Sequence, residues 1–515
     1  MRTAASLRSF VPCAASSATA AHARARLVSY NILADELAMT EKHSYCPRKD
    51  REWSGEGGRG ARLVAELQSY DADILCLQEC SAKAFREFCE RLSAGPSNYL
   101  QASSASAAVD ASGSIGGYTG FHHSAYLPSR RAAAEARMSV TGLATFVRPG
   151  AWRPLDVQAV RLGSASDERG HTGALQQSLR AQSDSVLLVL LEHVGSGARL
   201  AVGNVHLHWD PRLPHLKAAQ AELAARALAA FVRPRANAPA TDGQSATNQK
   251  QSEAIRSQPA ADGPPPPPGP PPGPPPGLVL CGDFNSVPHL QPSFLPREQQ
   301  AALPEPLPEH WSSSAAYALL STGSLAPHHP EHPHAVAMGQ AATRAAAEEA
   351  KVAAGGGGSC QPHGQPHLPR AKRSRNAVRA SGEADGANGA RNEAASGVGH
   401  LTTGLSLRDA YADALAAGPL PLSTHADNFA GCLDYCWLST GEAAAAVASS
   451  AAPAADARAA AAVAPAGTLA PRVEVIEVLS MPYDLAKPEE FGKIPSAEWA
   501  SDHLAVGCTL GVPRD

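Results

Sequence analysis

The tetrapeptide Gly282-Asp283-Phe284-Asn285 closes the apolar run Gly277-Leu-Val-Leu-Cys281. Residues two apart in a strand point to the same face, so Asp283 and Asn285 leave the strand end together. A carboxylate beside a carboxamide can do hydrolytic work: one polarises a water while the other holds it or a phosphate oxygen. Asp and Asn are also ordinary turn formers after a strand, so the pair means little without company. Four further segments end apolar runs in the same way: Ser29-Tyr30-Asn31, Leu77-Gln78-Glu79, Asn204-Val205-His206 and Ser501-Asp502-His503. A sixth, Leu433-Asp434-Tyr435, opens such a run. Six strand ends that each deliver a carboxylate, an amide or an imidazole read as an active-site device.

The elements that must position these groups alternate along the first half of the chain. Arg26–Tyr30 and Ile74–Gln78 read as strands, with an amphipathic helix over Gly60–Tyr70 between them. Val186–Glu192 and Leu200–Val205 read as a strand pair around the turn Gly195-Ser196-Gly197. Pro214–Phe231, apolar at helical spacing, reads as a long helix after the His206 loop. Three biased segments interrupt the pattern. Residues 234–277 end in the proline run Pro264–Pro276, which can form only polyproline II or coil. Residues 326–400 carry His328, His329, His332 and His334, a glycine run and the basic patch Arg370–Arg379. Residues 441–470 are mostly Ala. All three are poor in large apolar side chains and read as disordered surface insertions. The basic patch is a solvated charge run or a nuclear-localisation or RNA-contact segment. The histidines, set among prolines, have no rigid frame to hold a metal.

Composition bounds the rest. Removing the biased segments leaves roughly 340 residues, enough for one large α/β domain with a sizeable core. Lys+Arg 44 against Asp+Glu 48 gives a net charge of −4, so no global basic field announces a nucleic-acid binder. Divalent cations at a carboxylate-rich site would bring positive charge to a phosphate instead. The ten cysteines form no C-x-x-C pair, and Cys76, Cys281 and Cys436 lie inside apolar runs, as reduced intracellular thiols do. Cys432 and Cys436 flank a strand start and make a poor metal pair. No apolar stretch reaches the roughly 18 residues of a membrane span. Met1–Arg26 is rich in Ala, Ser and Arg and has no acidic residue. That is the composition of a disordered tail, which leaves the protein cytoplasmic with access to the nucleus, or of a chloroplast or mitochondrial transit peptide.

In order and wording, the strand-end segments resemble the endonuclease/exonuclease/phosphatase superfamily, the deoxyribonuclease-I-like fold. Ser29–Ala34, Ala72–Glu79, Asn204–Pro211 and Gly431–Tyr435 are similar to the carbon-catabolite-repressor-type poly(A) deadenylases. The His208-Trp209-Asp210-Pro211 stretch and the Gly117–Phe121 block favour that branch over nocturnin-like or angel-like relatives. The resemblance covers about 24–233, 278–325 and 401–512. It implies a two-layered β-sandwich flanked by helices, an α/β fold, as a single catalytic domain over 24–512 after a tail at 1–23. Three separate domains would scatter the motifs over different units.

The resemblance also implies roles. Glu79 matches the principal Mg²⁺ ligand, with Asn31 supporting it or a water of the ion, and Asp502 completing a second metal position; Mn²⁺ can replace Mg²⁺, and one or two ions fit. Asp283 matches the water-activating residue, and Asn285 the one that holds the phosphate. His206 matches a histidine that donates to a phosphate oxygen, and His503 one at the scissile group, oriented and kept protonated by Asp434. Asn204, His208, Trp209 and Arg59 are the expected substrate contacts. Trp209 offers adenine a stacking face or packs on the domain, and Arg59 pairs with a core carboxylate or approaches phosphate.

Two departures weaken the poly(A) reading. Relatives carry Asp-Gly where this chain has Thr141-Gly142, and an Asn where it has Ser185, a shorter group without the amide's two donors. No leucine-rich repeat, the docking surface of many such deadenylases, precedes the domain. The expected activity is Mg²⁺-dependent 3′-to-5′ removal of poly(A) from mRNA, with RNA as partner and no membrane. The nearest alternative keeps fold and metal and takes a small nucleotide or 2′,5′-oligoadenylate. A third reading is a noncatalytic scaffold whose proline run recruits proline-motif-binding proteins. Such a scaffold has no use for Glu79, Asp283, Asn285, Asp434 and His503 together.

Overall fold

Runs of Val, Ile, Leu and Cys, several apolar on both faces, pair into two sheets stacked face to face. The computed structural model describes residues 8–13, 22–55, 57–92, 99–101, 117–124, 141–169, 171, 173–233, 273–295, 297–308, 311–337, 400–415, 420–426, 429–442, 470–483, 487 and 491–514. The first sheet contains β1 (Phe10–Pro12), β2 (His22–Asn31), β3 (Ile74–Gln78), β4 (Tyr99–Gln101), β5 (Thr119–Ser124), β6 (Gly142–Val147), β17 (Glu474–Leu479) and β18 (Val506–Pro513). Their order is β1-β17-β18-β2-β3-β6-β5-β4. The second contains β7 (Trp152–Arg161), β8 (Ser185–His193), β9 (Arg199–His206), β10 (Gly277–Asp283), β13 (Leu407–Asp409) and β16 (Asp434–Ser439). Its order is β13-β16-β10-β9-β8-β7. Two small ladders complete the set: β11 (Ser324–Leu325) with β12 (Leu401–Thr402), and β14 (Thr424–His425) with β15 (Ala430–Gly431).

Between the sheets, Leu27, Ile74 and Phe121 face Leu187, Val202 and Val279 in one apolar cluster. The outer face of the first sheet is covered by the helices Arg59–Ser69 and Ala82–Leu92, which bury Leu63, Leu67, Phe85 and Phe88. The outer face of the second is covered by Pro214–Phe231 and Ala315–Thr322. Each fully buried Leu or Phe contributes about 1.5–3 kcal/mol. The result is the two-layered β-sandwich flanked by helices expected from the sequence. Among the described residues no helix is long and apolar enough to cross a membrane.

Register brings the motifs to one edge. β2 and β3 run parallel with Asn31 opposite Gln78, and β9 and β10 run parallel with Asp283 opposite His206. β16 runs antiparallel to β10, so it starts where β10 ends, with Asp434 opposite Asp283. β18 runs antiparallel to β2 and starts at Val506 opposite Ser29, which puts the preceding Asp502 and His503 at the same edge. Carboxyl ends of parallel strands are where open α/β sheets bind ligands.

Several expectations change. The tail or transit peptide at 1–23 does not describe residues 8–13: β1 pairs with β17, and buried Arg8 donates to the carbonyls of Ser480 and Ala505 at 2.8 and 2.7 Å. The insertion at 326–400 begins later than the sequence suggested. His329, Glu331 and His332 are buried, because a turn over 329–332 packs onto the Ala315–Thr322 helix through Glu331 and the Ala315 N–H. Residues 338–399, including the basic patch, lie outside the described residues, as do most of 234–277 and 441–470 and all but the last three prolines of the proline run. The nine described cysteines are free thiols, and Cys432 and Cys436 pack in different core clusters, too far apart in environment to share a metal.

Candidate active site

Asp283 is the hub. Its Oδ1 accepts the Asn285 backbone N–H at 2.7 Å, which turns Oδ2 toward the cavity. On Oδ2 converge Asn31 Nδ2 at 3.0 Å, His206 Nε2 at 3.5 Å and His503 Nε2 at 3.7 Å. The backbone is bent to achieve this. Gly282 lies at φ 144°, and a Cβ there would stand 2.0 Å from the Val205 carbonyl oxygen, so only glycine lets β10 pass β9 at this point. Asn285 at φ 49° and Glu79 at φ 55° occupy the left-handed region, a conformation that costs a non-glycine residue about 1–3 kcal/mol and clusters at functional sites. The Asn285 amide donates to the Leu207 carbonyl at 2.9 Å and ties the β10 turn to the β9 loop.

Glu79 faces the same cavity. Its Oε1 accepts from Asn31 Nδ2 at 3.2 Å and its Oε2 from the Ala34 N–H at 2.9 Å. Asn31 thus bridges Glu79 and Asp283 with its amide hydrogens, while its oxygen accepts the Leu33 N–H at 3.0 Å. That orientation makes Asn31 a support of the two carboxylates. Asp283, Asp434 and His503 also present atoms within 4.8 Å of one another, the spacing of a metal cage. Within this cluster His503 Nδ1 lies 2.8 Å from Asp434 Oδ2, a hydrogen bond that orients the ring. Burial works against a charged imidazole, but Asp434 and Asp283 outweigh it and hold His503 up at about 10.

The cavity measures about 500 Å³. Glu79, His206, Asp283, Asn285, Asp502 and His503 face it. Asp502 Oδ2 is engaged by His43 Nε2 at 3.6 Å and Lys42 Nζ at 3.8 Å. On the opposite wall, His208 Nδ1 lies 3.9 Å from Asp184 Oδ2, and burial raises the Asp184 carboxyl. Trp209 stands at the rim, 67% exposed, its ring 5.9 Å from that of His208. It does not pack on the domain. Asp210 fixes this loop by accepting from the Arg212 N–H and guanidinium at 2.9 Å, which holds its carboxyl down at about 2. Thr141 and Ser185, the two positions that depart from the resembled pattern, also line the cavity, as does Gly142.

Two expected substrate contacts are elsewhere. Asn204 is wholly buried between the sheets, donating to the carbonyls of Leu77 and Ala144 at 3.2 and 3.0 Å and accepting from Gln78 at 2.8 Å. Arg59 is wholly buried and donates to the carbonyls of Ile32 and Ala500 at 2.8 and 3.1 Å. Both fasten strand ends and touch no cavity. Conversely, Lys42, His43, Asp184, Lys217 and Gln220 join the site or its support without a signal in the sequence. Gln220 Oε1 accepts the His208 N–H at 2.9 Å while its Nε2 donates to Asp184 at 2.6 Å.

No family model matches the chain. The sequence is 27% identical over 317 residues to the CCR4-Not complex 3'-5'-exoribonuclease subunit Ccr4 of Aspergillus oryzae, covering 59% of this chain and 35% of the relative. It is 26% identical over 270 residues to that of Yarrowia lipolytica, covering 50% and 32%. The chain thus spans about a third of the length of the curated relatives it matches. The fold is similar to that of ANGEL2, a 2',3'-cyclic phosphatase solved with adenosine-2',3'-vanadate, at 15% identity and TM-score 0.51, covering 98% of this chain and 99% of that one. Motifs, sheet topology and these likenesses agree: the chain has the endonuclease/exonuclease/phosphatase fold, and its sequence is similar to Ccr4-type exoribonucleases.

Proposed function

We propose that the chain is a Mg²⁺-dependent phosphodiesterase that removes nucleotides from the 3′ end of poly(A). The observation that carries the reading is the convergence of Asn31, His206 and His503 on one oxygen of Asp283, with Glu79 across the same cavity. The donor set fits a hard divalent cation: Glu79 offers a carboxylate into an open, polar cavity, and Mg²⁺ is held by one or two carboxylates with water and substrate oxygens supplying the rest. Asp502, paired with Lys42 and His43, is a poorer candidate for a second ion. When bound, such an ion polarises the phosphoryl oxygens and stabilises the charge that builds on them.

The chain's own groups do the remaining work. Asp283 accepts a proton from the attacking water through Oδ2, the oxygen not occupied by the Asn285 N–H. His503, charged and backed by Asp434, donates to the phosphate as negative charge accumulates. His206 donates from the β9 side, and the Asn285 side chain, already fixed on the Leu207 carbonyl, borders the phosphate position. The water oxygen joins phosphorus, the bond to the leaving 3′ oxygen breaks, and that oxygen takes a proton. Trp209 at the rim supports a nucleobase-bearing substrate, since stacking needs an exposed ring face. RNA is the partner this reading implies. The test is 5′-labelled oligo(A), oligo(C) and oligo(U) of equal length with and without Mg²⁺: metal-dependent shortening fastest on oligo(A) is expected. Hydrolysis of small nucleotides with oligo(A) left whole would favour the small-molecule phosphodiesterase instead.

A further inference from the structure

The Asp283–Asn285 turn needs an external hold, because Asn285 sits at φ 49° and a non-glycine residue keeps that conformation only when its surroundings impose it. The hold comes from behind the site. Lys217, in the first turn of the Pro214–Phe231 helix, is 4% exposed, and its ammonium donates to the Asn285 carbonyl. A buried lysine is costly unless it is paired and hydrogen-bonded. Of the acidic groups around it, Glu331 acts on it most strongly; it is 3% exposed and fixed by the Ala315 N–H at 2.7 Å. Burial pulls Lys217 down to about 8 and pushes Glu331 up to about 7, so an apolar residue would sit at this position more cheaply. The helix keeps a charged group there all the same, and the group it reaches is the backbone of the turn that carries Asp283.

We propose that Lys217 is a positioning residue: by holding the Asn285 carbonyl it fixes the Asn285 N–H on Asp283 Oδ1 and so aims Oδ2 at the attacking water. This rests on the hydrolytic reading above. Gln220, one turn along the same helix, holds the facing loop at His208 in parallel fashion.

The test compares wild type, Lys217→Met and the double variant Lys217→Met/Glu331→Gln, each assayed for kcat and KM on oligo(A) and for melting temperature. Misplacing a reacting group by an ångström can cost about a hundredfold, so Lys217→Met should lower kcat by about ten- to a hundredfold with KM little changed. Adding Glu331→Gln removes the stranded carboxylate and should restore the melting temperature without restoring kcat. A double variant with wild-type kcat would overturn the proposal, since Lys217 would then serve only to neutralise Glu331. If Lys217→Met alone does not fold, the double variant decides by the same comparison. A wild type inert on every phosphodiester with Mg²⁺ would bring down the hydrolytic reading itself, a result distinct from any pattern among the variants.

Discussion

At the floor of the cavity, Asp283, Asp434 and His503 are buried, grow from strand ends and are each held by at least one hydrogen bond from another element. At the rim, Trp209 is two-thirds exposed on a loop, and the Lys42 side chain is 69% exposed on the short 3-10 turn Glu41–His43. The floor is fixed by sheet register, so its geometry follows from the strand pairing. The rim is fixed by local turns such as the Asp210–Arg212 clasp, so it is free to differ between relatives without disturbing the floor. Thr141 and Ser185, the two departures, line the wall between them. Hydrolytic competence and substrate choice are therefore separable in this molecule, and substitutions at floor and rim should separate them.

The largest effect is expected at Glu79. Glu79→Gln removes the charge that would hold the cation, worth several kcal/mol or about a thousandfold and more in turnover on every substrate, with circular dichroism and melting near wild type. Activity that survives at ordinary Mg²⁺ would break the floor assignment. His503→Gln comes next: loss of a positioned proton donor costs about a hundredfold or more. It also carries a pH signature. Its folded value of about 10 lies above the ordinary value of about 6.5, so its stabilisation is complete below pH ~6.5 and is lost as pH rises through about 10. Melting of the wild type should fall between pH 7 and 10 more steeply than that of His503→Gln. Equal slopes would mean the imidazole is neutral in the folded protein.

At the rim the effect should be smaller and selective. Trp209→Ala should cost oligo(A) turnover about 1–3 kcal/mol, the worth of one base–aromatic stack, and leave an aryl phosphodiester nearly untouched. Equal loss on both substrates would erase the distinction between floor and rim. Smallest in turnover is Arg59→Met, which should cost stability, because it strands buried carbonyls worth about 1–3 kcal/mol each, while KM stays put. A raised KM would restore Arg59 to the substrate.

Which of these residues the sequence revealed follows the same division. Asn31, Glu79, His206, Asp283, Asp434 and His503 were legible because each follows or opens an apolar run, and strand ends are readable from composition and period. Asn204 lies in one of those motifs and Arg59 was expected from the resemblance, but both have their donors consumed by backbone carbonyls of neighbouring strands and loops, a fact of tertiary pairing that no local pattern carries. Lys217 and Gln220 were hidden for the opposite reason. On a helix, polar residues read as the solvent face, yet Pro214–Phe231 is enclosed by the second sheet and the Ala315–Thr322 helix and buries them. His329, Glu331 and His332 were read as part of a loose insertion because prolines and histidines give no periodic signal, although the turn they form is packed.

One measurement bears most directly on the central claim that this edge of the sandwich is a metal-dependent nuclease floor beneath a base-reading rim. Wild-type protein is incubated with 5′-labelled oligo(A) and oligo(C), in Mg²⁺ and in EDTA, and the products are resolved at single-nucleotide length. A ladder shortening one nucleotide at a time from the 3′ end, absent in EDTA and faster on oligo(A), is the expected result. Intact oligonucleotides in Mg²⁺, or a ladder unchanged by EDTA, would contradict it.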